Sequence, residues 1–501
     1  MGSSKTVVME HSFHDRLQFA LSYSDAERQS AEQAFQRCYP EMQRTSAVDT
    51  LRRTAYQRLD EQGQVYLDYT GGGLYAQTQI DAHLQQLTTG TFGNPHSANP
   101  TSIAATELVN DARAYVYDYF NADPDEYIIV FTTNASGALK LIGESYPFDQ
   151  NGQYLLTFDN HNSVNGIREY ARYHNAPVTY SPITLPELRI DADTLRTHLA
   201  SANPDGNNLF AFPAQSNFSG VQHPLEWIAE AQALGWDVLL DSAAFVPTNR
   251  LDLSKWKPDF VPLSFYKMFG YPTGVGALFI RRDKLAKLRR PWFAGGTVEM
   301  VSALTPKFVR ADAEAAFEDG TVNYLNIPAV EIGLRHLTET GIDCIHERVM
   351  ALTGYLLDEM LNVTHSNGQP LVSIYGPTDT HQRGATIAFN LLDPNGQMFD
   401  VRLVETLANE AMISLRTGCF CNPGAGENAF HLTVDDVEIC STAAIPVTYE
   451  HYIAALTAHT GQVVTGAIRI SLGIASNFAD VHHFVRFLST FVDLESPGFM
   501  G

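Results

Sequence analysis

Long apolar runs are missing from this sequence of 501 residues. No uninterrupted apolar stretch is long enough to span a bilayer, and residues 1–16 lack the apolar core of a signal peptide. We therefore expect a protein without a membrane anchor, located in the cytoplasm.

Basic residues are scarce, with 33 Lys and Arg against 56 Asp and Glu and a formal net charge of −23. Binding to a phosphate backbone depends on lysine and arginine side chains that displace counterions. The charge balance therefore argues against a nucleic-acid partner.

Cysteine is scarce as well. The cysteines are odd in number, form no regular framework and suit a reducing compartment; they are Cys38, Cys344, Cys419, Cys421 and Cys440. Cys419 and Cys421 have no second cysteine pair or suitably spaced histidine cluster to complete a tetrahedral metal site. We therefore expect no metal, and a thiol that is free for chemistry.

The remaining composition, 45% hydrophobic and 18% charged residues, is typical of a globular protein, and the length predicts two or three domains. Short β-rich runs alternate with helical patterns in the middle of the chain, at 127–131, 154–158, 177–180, 209–212, 237–240 and 260–265. This alternation predicts an α/β domain around a mostly parallel sheet.

The pattern of the sequence changes after Pro328, where long helical patterns precede further strand candidates at 371–375, 385–392 and 467–472. A second, smaller α/β domain is predicted there. The predicted division is an N-terminal helical segment at 1–65 that packs on the small domain, a large domain at 66–328 and the small domain at 329–501.

An aspartate and a lysine follow two successive strand candidates, at the edge where open α/β sheets bind ligands. Asp241 ends the run at 237–240, and Lys267 follows the run at 260–265. Such an aspartate can keep a pyridine nitrogen protonated, and a desolvated lysine can form a Schiff base, as pyridoxal-phosphate (PLP) chemistry requires. Taken alone, a helix cap and a solvated side chain are the commoner explanation of this pair.

Small residues at 132–137 follow the first strand candidate and open a helical pattern. Free backbone N–H groups and the positive end of the helix dipole make such a start a phosphate site, although an ordinary N-cap has the same pattern. A second small-residue turn, at 295–297, either adds phosphate contacts or is merely a loop.

His161 and Asn217 follow two further strand candidates. His161 can stack on a planar cofactor and exchange protons near neutral pH. Asn217 can donate a hydrogen bond to a phenolic oxygen. Each also has an ordinary structural explanation, as a loop histidine and as an asparagine in a turn.

Arg469 lies in the apolar run at 467–472 and requires a partner if it is buried, which either a substrate carboxylate or an internal carboxylate provides. Cys421 lies in a loop punctuated by glycine and proline, with Arg416 nearby to favour the thiolate.

Together these segments resemble the cysteine-desulfurase branch of the fold-type I (class-V aminotransferase-like) PLP enzymes, and in particular the N-terminal domain of molybdenum-cofactor sulfurases. The segments that carry the resemblance occur in the family's order and are YLDYTGGGLY (66–75), FGNPHSANPTS (92–102), FTTNASGALKL (131–141), DNHNSV (159–164), PAQSNFSG (213–220), LLDSAAF (239–245), VPLSFYKMFGYPTGVGALF (261–279), GGT (295–297), FEDGT (317–321) and LRTGCFCNPGA (415–425).

The resemblance implies an α/β PLP-dependent transferase fold, with Lys267 as the Schiff-base lysine and Asp241 at the pyridine nitrogen. His161 would lie on the ring face and Asn217 at the phenolic oxygen. The further cofactor-binding residues that it implies are Ala135, Ser136, Ser264, Tyr266 and Thr297, of which Thr297 would serve the cofactor of the neighbouring subunit in a homodimer.

The resemblance also implies that Arg469 and Asn94 bind the substrate. The Arg-x-Gly-x-x-Cys pattern falls on Arg416, Gly418 and Cys421, which makes Cys421 rather than Cys419 the persulfide carrier.

The chain departs from the family's pattern at several positions. Tyr266 replaces a histidine that precedes the lysine in many desulfurases, and Ala244 replaces a glutamine that contacts the cofactor. Glycines at 71–73 replace a bulkier loop beside the substrate, and Gly426 replaces a cysteine. We also expect no C-terminal cofactor-binding domain after the small domain.

These observations predict a PLP-dependent cysteine desulfurase-like enzyme that moves sulfur from L-cysteine to Cys421 as a persulfide, and then to an acceptor protein or small molecule. Two alternatives stay open. One is another PLP reaction on an amino acid, as a lyase, epimerase, aminotransferase or carbon–carbon bond-forming enzyme. The other is an inactive sulfur-relay or binding scaffold.

Overall fold

A computed structural model describes residues 13–95, 97–441, 457 and 466–497 of the chain. Within these ranges, no helix combines the length and the apolar character that a membrane span requires.

The core of the molecule is a seven-stranded sheet with the strand order β2-β10-β9-β8-β7-β3-β4. Its strands are β2 (Tyr127–Thr132), β3 (Gln153–Thr157), β4 (Val178–Ser181), β7 (Asn208–Pro213), β8 (Trp236–Asp241), β9 (Phe260–Ser264) and β10 (Gly276–Arg281). The central strands are buried along their whole length, which explains their nearly continuous apolar sequences. The predicted α/β fold with a mostly parallel central sheet is confirmed.

Strand β10 was not identified in the sequence analysis, and it is the one strand of this sheet that runs antiparallel to its neighbours, β2 and β9. It begins at Gly276, where a Cβ atom would lie 2.5 Å from the Leu263 carbonyl oxygen and 2.6 Å from the Asn134 Cα. The glycine therefore lets β10 pass close to Asn134, the N-cap of the helix Ala135–Ser145 that follows β2. Strand β9 also ends one residue earlier than predicted, because Phe265 starts a short helix.

A second sheet is antiparallel, with the order β13-β14-β17-β16. Its strands are β13 (Val372–Tyr375), β14 (Thr386–Leu391), β16 (Arg416–Gly418) and β17 (Ala467–Ser471). Three two-stranded pairings complete the sheets: β1 (Val65–Tyr66) with β15 (Ile413–Ser414), β5 (Ile183–Thr184) with β6 (Arg189–Ile190), and β11 (Val298–Val301) with β12 (Phe308–Arg310).

Helices pack against the strands of both sheets. Residues 13–21 are helical, and the further helices are Asp25–Cys38, Glu41–Arg44, Ala47–Ala55, Arg58–Glu61, Gln77–Thr89, Pro100–Tyr119, Ala135–Ser145, Asn162–Asn165, Ile167–Tyr173, Ala192–Leu199, Trp227–Ala233, Phe265–Phe269, Arg282–Leu285, Pro328–Thr340, Ile342–Asn362, Val401–Glu410, Pro423–Ala429, Val434–Ser441 and Phe478–Leu488, with 3₁₀ turns at Ala313–Ala316 and Ser489–Phe491.

The N-terminal helices pack on the helix Ile342–Asn362. Buried Arg348 in that helix binds the Asp49 carboxylate at 2.7 Å and the Thr45 hydroxyl at 2.8 Å. Such a charge-assisted contact fixes the two helical layers against each other. The division into three segments at residues 65 and 328 stays a prediction.

Candidate active site

The ends of β8 and β9 place an acid and an amine beside one cavity. Asp241 is the last residue of β8, and Lys267 lies in the helix that follows the parallel neighbour β9. Both side chains line a cavity of about 150 Å³, together with Asn134, Ala135, Ser136, Leu139, His161, Pro213, Gln215, Asn217, Ala243, Ala244, Ser264 and Tyr266. The carboxyl edge of the sheet therefore brings the predicted acid and amine together, as expected for an open α/β sheet.

The Lys267 amine has no hydrogen-bond partner within the described part of the chain. Burial lowers the pKa of Lys267 below its ordinary value; the nearby carboxylate of Asp241 opposes this shift, and the guanidinium of Arg469 adds to it. A lysine with a lowered pKa is more often neutral near pH 7, and only the neutral amine is a nucleophile or a base.

The start of the helix Ala135–Ser145 forms the opposite wall of this cavity. The Asn134 side chain caps the helix by accepting from the Gly137 N–H at 2.9 Å, and the Ala135 N–H donates to the Ser264 Oγ at 2.9 Å. The Ser136 N–H has no acceptor within the described residues. An open N–H group at a helix N-terminus, flanked by two serine hydroxyls, fits a phosphate group.

His161 follows β3 and caps the short helix Asn162–Asn165, with its Nδ1 accepting from the Ser163 N–H at 3.0 Å. Burial lowers the pKa of His161; Asp241 opposes this shift, whereas Lys267 adds to it. The ring is therefore neutral at pH 7, with its proton on Nε2, and a neutral planar ring suits stacking on an aromatic cofactor.

Asn217 lines the same cavity, but part of its amide is already used. Its Nδ2 donates to the Phe420 carbonyl at 2.7 Å, and its Oδ1 accepts from the Asn422 Nδ2 at 2.9 Å. One N–H of the Asn217 amide is left for a ligand in the cavity.

Arg469 is buried in β17 and is paired with an internal carboxylate. Its Nη2 donates to Asp68 at 3.0 Å and its Nη1 donates to the Asn217 carbonyl at 2.9 Å. Asp68 also accepts a hydrogen bond from Arg416 at 2.7 Å. Arg416 in β16 is paired directly with Arg469 in β17. The Arg469 Nε is buried without a partner within the described residues, so one donor remains for a further anion.

Sequence reasoning missed Asp68, although it lies in the segment YLDYTGGGLY that contributed to the resemblance. A signal was available, because two arginines near an apolar strand require a buried carboxylate. Nothing in the sequence showed which of the many acidic residues supplies it.

Cys421 is exposed and lies in the loop between β16 and the helix Pro423–Ala429. As a thiolate it is close enough to raise the pKa of Lys267, Tyr266 and Arg469. Arg416, which we expected to favour the thiolate, is bonded to Asp68, and the nearby Cys421 thiolate also contributes to raising the pKa of Arg416. The Cys421 thiolate and the Lys267 amine are therefore close enough for their charges to interact.

Two predicted residues lie outside the lining of this cavity. The buried Thr297 hydroxyl donates to the Ala294 carbonyl at 2.9 Å, and the exposed Asn94 donates to the Thr321 hydroxyl at 3.3 Å. Ser136 does line the cavity, and its hydroxyl is bonded to the Ser163 hydroxyl at 2.6 Å. The roles of Thr297 and Asn94 stay predictions.

The glycine loop at 71–73 has little room for side chains at Gly71 and Gly73. A Cβ on Gly71 would lie 2.5 Å from the Asp68 carboxylate, and a Cβ on Gly73 would lie 2.9 Å from the Lys267 carbonyl oxygen. These glycines let the loop pack directly against the segment that carries Lys267.

Comparisons with known proteins agree with this geometry. Residues 65–484 match the family described as Aminotransferase class-V. The chain is 36% identical over 473 residues to the molybdenum cofactor sulfurase of Solanum lycopersicum, which covers 88% of this chain and 57% of that protein. The chain therefore spans just over half the length of this relative.

Two solved structures show the same fold. The apo cysteine desulfurase of Thermococcus onnurineus NA1 has a TM-score of 0.70 at 22% identity and covers 87% of this chain and 96% of its own. A C-DES mutant with glycine covalently linked to its PLP cofactor has a TM-score of 0.65 at 17% identity, with coverages of 88% and 99%. The predicted resemblance is confirmed: the chain belongs to the class-V aminotransferase family.

Proposed function

We propose that the chain is a PLP-dependent enzyme of the cysteine-desulfurase type, which moves sulfur from L-cysteine to Cys421 and then to an acceptor. One observation carries the proposal: Lys267, Asp241 and the open start of the helix Ala135–Ser145 line a single cavity. The similarity to molybdenum cofactor sulfurases and to a PLP-containing neighbour supports it.

The residues around the cavity fit PLP group by group. Lys267 would hold the aldehyde carbon and Asp241 the pyridine nitrogen, while the open Ser136 N–H and the hydroxyls of Ser136 and Ser264 would hold the phosphate. The neutral imidazole of His161 and the unused amide N–H of Asn217 would contact the pyridine ring of PLP and its substituents. When bound, PLP supplies an electron-accepting ring that stabilises negative charge at the substrate Cα.

Lys267 then serves as the base that removes the Cα proton of the substrate. Its pKa is lowered by burial, so the amine is neutral at a lower pH than an ordinary lysine and can accept a proton. The unpartnered Nε of Arg469 provides a donor for the substrate carboxylate.

Cys421 supplies the nucleophile. Its thiolate attacks the substrate sulfur, a new S–S bond forms on the enzyme, and the C–S bond of the substrate breaks. The electron pair of the broken bond stays with the substrate carbon, which takes up a proton, so that alanine leaves. One cysteine and one enzyme thiol thus give one alanine and one enzyme persulfide, with no external oxidant.

The test compares two neighbouring thiols. Cys421→Ser should lower alanine formation from L-cysteine by at least about 100-fold and abolish the persulfide seen by mass spectrometry, because the nucleophile is lost. The visible absorption of the bound cofactor should persist. Cys419→Ser, the matched control, should keep alanine formation within about threefold of the unsubstituted enzyme.

Alanine and sulfide production that persists in Cys421→Ser would contradict this assignment. Pyruvate and ammonia as products, in place of alanine, would instead identify the chain as a lyase on the same scaffold.

The exposed position of Cys421 supports transfer of the sulfur to an acceptor protein or small molecule that approaches from solvent. The proposal includes a homodimer, supported by the exposed apolar side chains of the β11–β12 ribbon that directly follows Thr297. It also includes a cytoplasmic location, supported by Cys38, Cys344, Cys419 and Cys421, which form no disulfide bond among the described residues.

A further inference from the structure

The loop that carries Cys421 is held in an unfavourable backbone conformation. Phe420 and Cys421 have φ angles of +54° and +55°, in the left-handed region that side chains other than glycine rarely adopt. Two consecutive residues of this kind persist only when their surroundings hold them in place. The Cys421 loop therefore requires specific contacts on both sides of the thiol.

Side-chain amides supply these contacts. The Asn422 Nδ2 donates to the Asp159 carbonyl at 2.7 Å and to the Asn217 Oδ1 at 2.9 Å. Asn217 in turn donates to the Phe420 carbonyl at 2.7 Å. The backbone N–H of Asn162 donates to the Cys421 carbonyl, also at 2.7 Å. The carbonyl oxygens of Phe420 and Cys421 thus accept hydrogen bonds from Asn217, which lines the cavity, and from Asn162, which follows the cavity residue His161.

Packing fixes the same loop from two directions. The Phe420 ring lies 5.3 Å from the Phe218 ring and 4.7 Å beneath the Arg469 guanidinium. On the other side, a Cβ on Gly424 would lie 2.0 Å from the Phe158 carbonyl oxygen, so the helix Pro423–Ala429 is pressed against the end of β3. Phe420 and Asn422 are therefore buried, and only Cys421 between them is exposed.

Asn422 is fully buried, and its amide binds both the segment after β3, at Asp159, and the segment after β7, at Asn217. By donating to the Asn217 Oδ1, it fixes which end of the Asn217 amide faces the loop. The Asn217 Nδ2 then points to the Phe420 carbonyl, and its second N–H is free for the cavity.

We propose that Asn422 is a positioning residue: through Asn217 and Asp159 it holds the Cys421 thiol at the place where the substrate sulfur is attacked. This inference rests on the function proposed above. Transfer of sulfur between two centres requires close alignment of the attacking thiolate with the substrate, and a misplacement of about 1 Å can cost about 100-fold in rate.

The test uses the holoenzyme and the substitution Asn422→Asp. This change keeps the size of the side chain but replaces both amide donors by acceptors, which would face the carbonyl of Asp159 and the Oδ1 of Asn217. Asn428→Asp is the matched control, because Asn428 lies in the short helix that Asn422 caps and donates to the Gly424 carbonyl, away from the cavity.

Two rates separate positioning of the thiol from binding of the cofactor. Formation of alanine from L-cysteine requires both Lys267 and Cys421, whereas exchange of the Cα hydrogen of L-alanine in deuterated water requires Lys267 and the cofactor alone. We expect Asn422→Asp to lower the kcat of alanine formation by about 100-fold. The KM for cysteine and the rate of Cα exchange should stay within about threefold, and Asn428→Asp should stay within about twofold in both assays.

Equal losses in both rates would overturn the proposal, because Asn422 would then act on the cofactor site as a whole; unchanged alanine formation would also overturn it. If Asn422→Asp does not fold, Asn422→Ala removes the same donors without adding a charge and is judged by the same two rates.

A failure of the proposed function is recognised separately, because the unsubstituted enzyme would then form no alanine. In that case alkylation of Cys421 by iodoacetamide decides. If the alkylation rate of Asn422→Asp differs at least threefold from that of the unsubstituted protein, Asn422 holds the Cys421 loop in place. An unchanged alkylation rate contradicts this role.

Discussion

At the scale of single residues, Asn217 and Arg469 each have one hydrogen-bond donor without an acceptor among the described residues. Asn217 uses one amide N–H on the Phe420 carbonyl, and Arg469 uses its Nη groups on Asp68 and on the Asn217 carbonyl. Buried donors without partners are rare and destabilising, so a ligand that satisfies them gains the corresponding free energy. These two donors are the groups that the carboxylate of the proposed substrate and the phenolic oxygen of the proposed cofactor would satisfy.

A second residue-scale feature lies outside the active site. His336 is 8% exposed, its Nε2 lies 3.0 Å from the Tyr56 hydroxyl, and burial lowers its pKa to about 4. A histidine in the unfolded chain titrates near 6.5, so the unfolded state binds more protons between these two values. The stability that neutral His336 contributes is present above pH 6.5 and is lost as the pH falls through this window.

We expect this histidine to lower the free energy of unfolding by about 2 kcal/mol at pH 5 relative to pH 7.5. Urea unfolding of the native chain and of His336→Gln at both pH values measures the effect. The glutamine variant should lose less stability on acidification, because it has no group that must stay neutral.

Asp480, whose pKa is raised to about 6 by burial, titrates in the same range with the opposite sign. It is present in both proteins, so the difference between them isolates His336. Identical pH dependence in the two proteins would contradict this prediction.

At the scale of secondary-structure elements, the glycine loop at 71–73 sets how closely two chain segments approach. The Gly73 N–H donates to the Tyr266 carbonyl at 3.0 Å, and the Gly71 N–H donates to the Asp68 carbonyl at 3.0 Å. Both the helix with Lys267 and the carboxylate that binds Arg469 therefore depend on this packing.

Gly73→Ala should disturb this packing, because its Cβ would lie 2.9 Å from the Lys267 carbonyl and 3.1 Å from the Gly270 nitrogen, which are both backbone atoms. We expect destabilisation of about 1–3 kcal/mol and weaker cofactor binding. Thermal unfolding and titration with the cofactor measure the two effects.

Gly72→Ala is the control, since its Cβ would meet only the Tyr266 ring at an ordinary distance of 3.6 Å. Equal effects of the two substitutions would show that steric exclusion at Gly73 is not the cause.

At the scale of the whole molecule, the β11–β12 ribbon exposes several apolar side chains close together. Met300, Val301 and Val309 are about half exposed, and Leu304 at the tip is 96% exposed. Exposed apolar clusters of this kind mark interaction surfaces. The proposed homodimer gives the ribbon a partner.

We expect the native protein to have a mass near twice 55.4 kDa in sedimentation or light-scattering experiments. Leu304→Glu should raise the dissociation constant of the dimer at least about tenfold, because it places a charge in the apolar contact.

Val434→Glu, at a residue 72% exposed and far along the chain from the ribbon, should leave the dimer intact. A monomeric native protein, or a Leu304→Glu variant that dimerises normally, would contradict this assignment.

The sequence by itself determined six of the seven strands of the central sheet, because strands buried on both faces must be apolar along their whole length. It also indicated the candidate acid, amine and histidine, since Asp241, Lys267 and His161 lie at the end of such strands or within four residues after it, and parallel strands end at one edge. Strand β10 was missed because a short run that begins with glycine carries little local signal.

Only the tertiary structure decided which carboxylate binds Arg469 and which amides hold Cys421. Asp68 lies 401 residues from Arg469, and Asn217 lies 205 residues from Asn422. Hydrogen bonds and ion pairs form between whichever groups the packing of strands and helices brings within about 3 Å, and no local pattern in the sequence encodes that distance.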